Sequence, residues 1–131
     1  MIADSSAWIA LLRGNGSVVA TRLQAALLSG EQVVMPDVVY QEVLQGARDV
    51  HHFLRLQAQL DQVPQFVADD PRETARLAAT LYARCRWQGI TIRSPNDCLI
   101  AACAIEAGEP LLHADSDFNC IAAVDARLVL A

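Results

Sequence analysis

The sequence contains no lysine, and all ten of its basic residues are arginine. That absence removes chemistry built on a Schiff base or on the amine of a P-loop, while arginine remains suited to bidentate contacts with phosphate. The four cysteines, Cys85, Cys98, Cys103 and Cys120, form no CxxC pair. This spacing argues against a zinc site or a redox dithiol and leaves them as small buried hydrophobes in a reducing compartment. No apolar run approaches the roughly 20 residues that a membrane-spanning helix needs. The opening "MIADSSAWIALLRGNG" has no basic leader and is interrupted by Asp4, so a soluble, cytoplasmic protein with no membrane partner is expected. No linker, charge block, repeat or low-complexity tract divides the chain, and residues 1–131 read as one domain.

With 53% hydrophobic and only 19% charged residues, the chain has ample material for one core. Its formal charge of -5 is awkward for an anionic partner. If that partner is nucleic acid, something must neutralise it locally, and bound metal ions are the obvious means. Along the chain, short extended stretches alternate with helical ones. "MIAD" reads as a short strand, and Ser5 or Ser6 as the cap of the helix through "AWIALL". "SVVATRLQAALLSG" is helical, with Val19, Leu23, Ala26 and Leu27 on one face. "QVVM" is a strand, followed by a helix opened by Pro36 and Asp37. A helix over "HHFLRLQAQL" and an extended "VPQFVA" lead to the long helix "DPRETARLAATLYARCRWQG". "SPNDCLIAACAIEAG" is again helical, "PLLHA" a strand, "DFNCIAAV" a short helix and "RLVLA" a last strand. Strands separated by helices predict an α/β fold with a mainly parallel central sheet and helices on both faces.

The acids fall where such a fold places a site. Asp4 ends the first strand, Asp97 lies in the first turn of a helix, and Asp115 follows the strand "PLLH". Ligands of parallel sheets bind outside the carboxyl ends of the strands, where helices begin. Glu42 is a turn into the helix after "QVVM", and helical side chains lean towards the N-terminus, so it is expected at the same edge. Carboxylates gathered in a partly dry pocket raise one another's pKa and cost stability unless a cation compensates. Oxygen-only ligands select hard ions, Mg²⁺ or Mn²⁺. Such ions suit hydrolysis of a nucleic-acid backbone.

Four motifs, "ADSSAWI", "YQEVLQG", "SPNDCLIAA" and "LLHADSDF", occur in an order and at separations that resemble the PIN-domain ribonucleases, and among them the VapC-type toxins of toxin-antitoxin pairs. Each motif alone is weak, but the ordered set spans nearly the whole chain. The resemblance implies metal-ligating and catalytic roles for Asp4, Glu42, Asp97 and Asp115. It gives Asp117 a supporting metal position and Ser6 a hydroxyl that hydrogen-bonds a carboxylate or phosphate. It implies an endoribonuclease using Mg²⁺ or Mn²⁺ on structured RNA, held inactive by a cognate VapB-type antitoxin, with a homodimer and larger toxin-antitoxin assembly expected.

Each residue also has a plainer reading. Asp4 suits a helix N-cap, Asp97 suits a helix dipole, and Glu42 sits between Gln41 and Gln45 as on a solvated face. Arg93, four residues before Asp97, is a candidate contact for a substrate phosphate or a solvated loop arginine. His113 reads as a packed, hydrogen-bonded histidine and Trp8 as core or interface. Phosphatases or receivers that need a DxD pair or an acid pair with lysine are disfavoured, because "DSS" follows the first strand and lysine is missing. The remaining alternative is a catalytically inactive PIN-like module that binds RNA or protein.

Overall fold

The computed structural model describes residues 1–131, and its extended segments are shorter than their sequence suggests. Two qualify as strands, β1 (Ile2–Ala3) and β2 (Leu111–Leu112), paired in parallel with Ile2 opposite Leu111. Parallel bridges join Ile2 to Val34, Met35 to Gln65 and Leu111 to Leu130. The sheet therefore runs through residues 65, 35, 2, 111 and 130, all in one direction. The expected strand "QVVM" is thus reduced to two isolated bridges, one to each neighbouring segment, and "VPQFVA" and "RLVLA" to one each. Proline explains part of this: Pro36 ends one segment and Pro64 opens another, and neither offers an N–H to a ladder. The carbonyl of Pro64 still accepts from Met35 N at 2.8 Å, and Phe66 N donates to Met35 O at 2.9 Å.

Seven helices surround this sheet on both faces: α1 (Ser5–Arg13), α2 (Val18–Leu28), α3 (Asp37–Leu44), α4 (Val50–Leu60), α5 (Pro71–Trp87), α6 (Pro95–Ala107) and α7 (Asp117–Val124). One group packs α1 on α2 and α3, and α3 on α4; the other packs α5 on α6 and both on α7, with α3 touching α6. Helix α6 explains the centre of the molecule. Cys98, Ile100, Ala101, Ala102, Cys103 and Ala104 are all buried, so it has no wet stripe and must be covered on most sides. Its small residues allow close approach by α5, whose Thr74 Oγ1 donates to Glu106 Oε2 at 2.7 Å. One cluster of 31 buried residues, from Met1 to Leu128, joins sheet and helices.

Two local expectations need correction. The N-cap of α1 is Asp4, not Ser5 or Ser6: its Oδ1 accepts from Ala7 N at 3.1 Å. A charged, acceptor-only carboxylate suits the positive helix end, and both serine hydroxyls are spent elsewhere, as described below. On α2 the buried face is Val19, Ala20, Leu23 and Ala26, whereas Leu27 is 40% exposed. The helix is rotated so that Ala20 takes the inner position. The stops are as their sequences suggest, with Gly14 and Gly108 at φ 65 and 64 closing α1 and α6 in the left-handed conformation. All four cysteines are free, and only Cys120 reaches the surface in part. No helix is long and apolar enough to cross a membrane.

Leu81, on α5, is fully buried within the core cluster. Leu81→Ala should lower the unfolding free energy by about 2–5 kcal/mol. Urea denaturation monitored by circular dichroism measures this, and an unchanged midpoint would contradict the packing described.

Candidate metal centre

Each acid reaches the carboxyl edge of the sheet by a different local device. Asp4 directly follows β1, where its backbone N–H donates to Leu112 O at 3.0 Å and so locks the end of β1 to the end of β2. Asp115 and Asp117 follow β2, and Asp117 begins α7. Asp97 stands in the first turn of α6, behind Ser94 and Pro95. Glu42 comes from α3, the helix that starts just after the Met35 bridge.

One carboxylate oxygen from each of Asp97, Asp115 and Asp117 lies within 4.8 Å of the others. Asp4 and Glu42 flank this tight group, near enough that their charges act on Asp97. The Asp97 carboxyl is pushed up to about 7, first by burial and then by the charges of Asp115, Asp4, Glu42 and Asp117. An aspartate in the first turn of a helix ordinarily gains from the dipole, by some 0.3–1 kcal/mol at exposed sites. Here burial and four neighbouring acids outweigh that gain. Asp4, only 4% exposed, is also raised by burial, against the pull of the Ser6 hydroxyl, the Ala7 N–H and His113.

Hydrogen bonds take both oxygens of Asp4 and one oxygen each of Glu42, Asp115 and Asp117, and leave the rest uncommitted. Ser5 Oγ donates to Glu42 Oε1 at 2.6 Å. Ser6 Oγ lies 2.7 and 2.8 Å from the two oxygens of Asp4 and accepts from Ala114 N at 3.2 Å, which ties the first acid to the loop carrying Asp115. Asp117 N donates to Asp115 Oδ1 at 2.9 Å. The side chain of Asp97 accepts no hydrogen bond, and Asp115 Oδ2, Asp117 Oδ1 and Glu42 Oε2 are likewise without partners. Unpartnered oxygens of separate chain segments, converging where charge is penalised, are the donor set of a hard divalent cation. The residues present therefore fit such an ion.

The structure brings together all five acids singled out in the sequence, and Ser6 with them. Asp117 proves to be in the tightest group, whereas Asp4 and Glu42 are at its margin. Arg93 is placed otherwise than as a free phosphate contact: its Nη2 donates to Asp115 Oδ1 at 2.9 Å, and its Nε and backbone N–H donate to Asp117 Oδ2 at 3.3 and 3.0 Å. Sequence reasoning missed Ser5 as the partner of Glu42; the pair of adjacent hydroxyls in "DSS" is the only signal of it. His113 is a packed histidine, its ring centroid 5.2 Å from that of Phe118 and its Nδ1 accepting from Asp115 N at 3.3 Å. Trp8 is buried in the core.

Comparison with known proteins fits this geometry. The PIN domain family model matches residues 1–124. The chain belongs to the PIN domain family. The "VapC ribonuclease Mb1587" of Mycobacterium bovis and "Ribonuclease VapC11" of Mycobacterium tuberculosis are each 37% identical to it over 126 residues, 95% of this chain and 92% of theirs. Among solved structures, VapBC2 from Rickettsia felis, bound to a promoter DNA fragment, superposes with a TM-score of 0.71 at 17% identity, covering 99% of this chain and 96% of that one. FitAcB from Neisseria gonorrhoeae gives 0.69 at 20% identity, covering 98% and 94%. At these identities the two structures speak to the PIN fold alone.

The raised carboxyls of Asp97 and Asp4 fix a pH dependence. A carboxyl whose folded pKa exceeds its unfolded value of about 3.9 binds more protons when folded, so stability is full below that value and is lost as pH rises through the folded pKa. In EDTA, the melting temperature should therefore fall between about pH 5 and pH 8. Asp97→Asn should flatten most of that slope. Thermal melts across this range measure it, and a wild-type melting temperature that rises with pH would contradict the crowding of charge described.

Proposed function

We propose that this chain is a metal-dependent endoribonuclease, the toxin of a VapBC-type toxin-antitoxin module, which hydrolyses structured RNA at the acidic edge of its sheet. The observation that carries the reading is the convergence of five acids, with carboxylate oxygens of Asp97, Asp115 and Asp117 within 4.8 Å of one another and Asp4 and Glu42 near enough to act on Asp97. The names of the VapC ribonuclease relatives support the substrate class. Residues 1–131 act as a single PIN domain in the cytoplasm. The ion is Mg²⁺, with Mn²⁺ as its substitute, since five carboxylates and no nitrogen or sulfur ligand favour hard cations.

Asp97, Asp115 and Asp117 would hold the ion, with Asp4 and Glu42 close by to add to its charge balance. When bound, a divalent ion lowers the pKa of a water and offsets the charge that builds on a phosphodiester during in-line attack. The protein's part is to fix the acids beforehand. Ser6 orients Asp4 and ties it to the β2 loop, and Ser5 turns Glu42 inward. A metal here also reconciles an acidic chain with an anionic substrate. Arg13, Arg48, Arg55, Arg72 and Arg86 form no ion pair and remain available to RNA phosphates. A VapB-type antitoxin is the expected inhibitor, and a homodimer within a larger toxin-antitoxin assembly the expected state.

Incubation of the protein with structured RNAs and Mn²⁺, with and without EDTA and beside Asp97→Asn, tests the reading. Cleavage should occur only with wild-type protein and free metal. Asp97→Asn should lose more than the roughly 10- to 100-fold that removal of an outer-shell partner costs at a metal site. The variant should remain folded and melt at higher temperature than wild type in EDTA, because repulsion is relieved. RNA left identical in every lane would refute the nuclease and leave an inactive binding module in its place.

A further inference from the structure

The least expected contact in the molecule is that of Arg93 with the acids of the site. Arg93 lies in the short connection between α5 and α6, ahead of the Ser94 cap. Its backbone N–H is fixed on Asp117 Oδ2 at 3.0 Å, its Nε shares that oxygen at 3.3 Å, and its Nη2 reaches across to Asp115 Oδ1 at 2.9 Å. The guanidinium thus spans two of the three carboxylates of the tight group and takes one oxygen of each. No other cation forms an ion pair with any of the five acids. The side chain is nevertheless 72% exposed, held at its polar end and not packed in place.

The geometry points to Arg93 as the resident counter-ion of the acidic cluster, a positive charge that stands in for a divalent cation and competes with it. This inference rests on the metal-dependent reading above and adds to it a residue that sets the site's affinity for metal. The charges require such a role. Five carboxylates lie at one edge, three of them with oxygens within 4.8 Å of one another, and a guanidinium across Asp115 and Asp117 lowers the cost of gathering their charge. The same positive charge opposes an incoming divalent ion bound a few ångströms away. An outer residue that merely oriented the ligands would have the reverse sign, because its loss weakens metal binding. The sign of the effect separates the two roles.

Because the guanidinium is mostly exposed, the interaction is screened. A unit charge against a divalent ion at this range in a water-like dielectric corresponds to roughly tenfold in affinity. The test is isothermal titration of the metal-free chain with Mn²⁺, for wild type, Arg93→Gln, Arg93→Lys and Arg86→Gln. The last removes an exposed, unpaired arginine as a control for net charge. Arg93→Gln should bind Mn²⁺ roughly tenfold tighter than wild type, melt at lower temperature without metal, and gain more in melting temperature when Mn²⁺ is added. Arg93→Lys, which keeps the charge but not the bridge, should fall between, and Arg86→Gln should match wild type. Mn²⁺ binding that is unchanged or weaker in Arg93→Gln, with wild type still binding, would overturn the counter-ion role alone. Wild type that binds no Mn²⁺ would overturn the metal reading and this inference with it.

Discussion

Repulsion between carboxylates brought to one edge of a small parallel sheet is the constraint on which the rest of the arrangement depends. Nothing in hydrophobic packing asks for Asp97 to sit beside Asp115 and Asp117, where burial and the charges of four neighbouring acids push its carboxyl up and the fold bears a cost. The surrounding contacts make sense as responses to it. Serine hydroxyls and backbone N–H groups take some of the oxygens, the first turns of α1, α6 and α7 present their positive ends, and a guanidinium lies across two acids. What remains uncommitted is a set of oxygens that suits a hard cation. A cluster that the chain keeps at the expense of stability is better explained by chemistry than by structure.

The site was legible in the sequence because its logic is local at each acid. An acid directly after an apolar strand start, one in a helix's first turn and a pair after "LLH" each announce the carboxyl edge of a parallel sheet by position alone. Helices were equally legible, since prolines at 71 and 95 and glycines at 14 and 108 mark their limits with backbone preferences that need no tertiary information. Strands were overestimated. An extended tendency over "QVVM" or "RLVLA" is local, but a ladder needs a partner in register, and only β1 and β2 retain two paired residues. Prolines 36 and 64 carried a warning that the β-branched run obscured.

Details of the site were hidden for a different reason. Whether Asp4 or a serine caps α1 depends on where the hydroxyls find better acceptors, and those acceptors, Glu42 and Asp4 itself, belong to the assembled site. The position of Arg93 depends on a loop meeting the start of α7 from 24 residues away. Asp115 and Asp117 could not be ranked from their spacing, whereas the structure shows Asp117 buried and tied from two sides. Such contacts join segments distant in sequence, and no local preference encodes them.

Membership of the PIN domain family gives the acidic edge a history, but the physical claim stands on its own geometry. It is tested most directly by crystals of the chain grown with Mn²⁺ and measured for anomalous scattering at the manganese edge. The account predicts a peak bounded by the carboxylates of Asp97, Asp115 and Asp117, with Asp4 and Glu42 nearby. A chain saturated with Mn²⁺ that shows no peak among these residues, or one held by other groups, would contradict it.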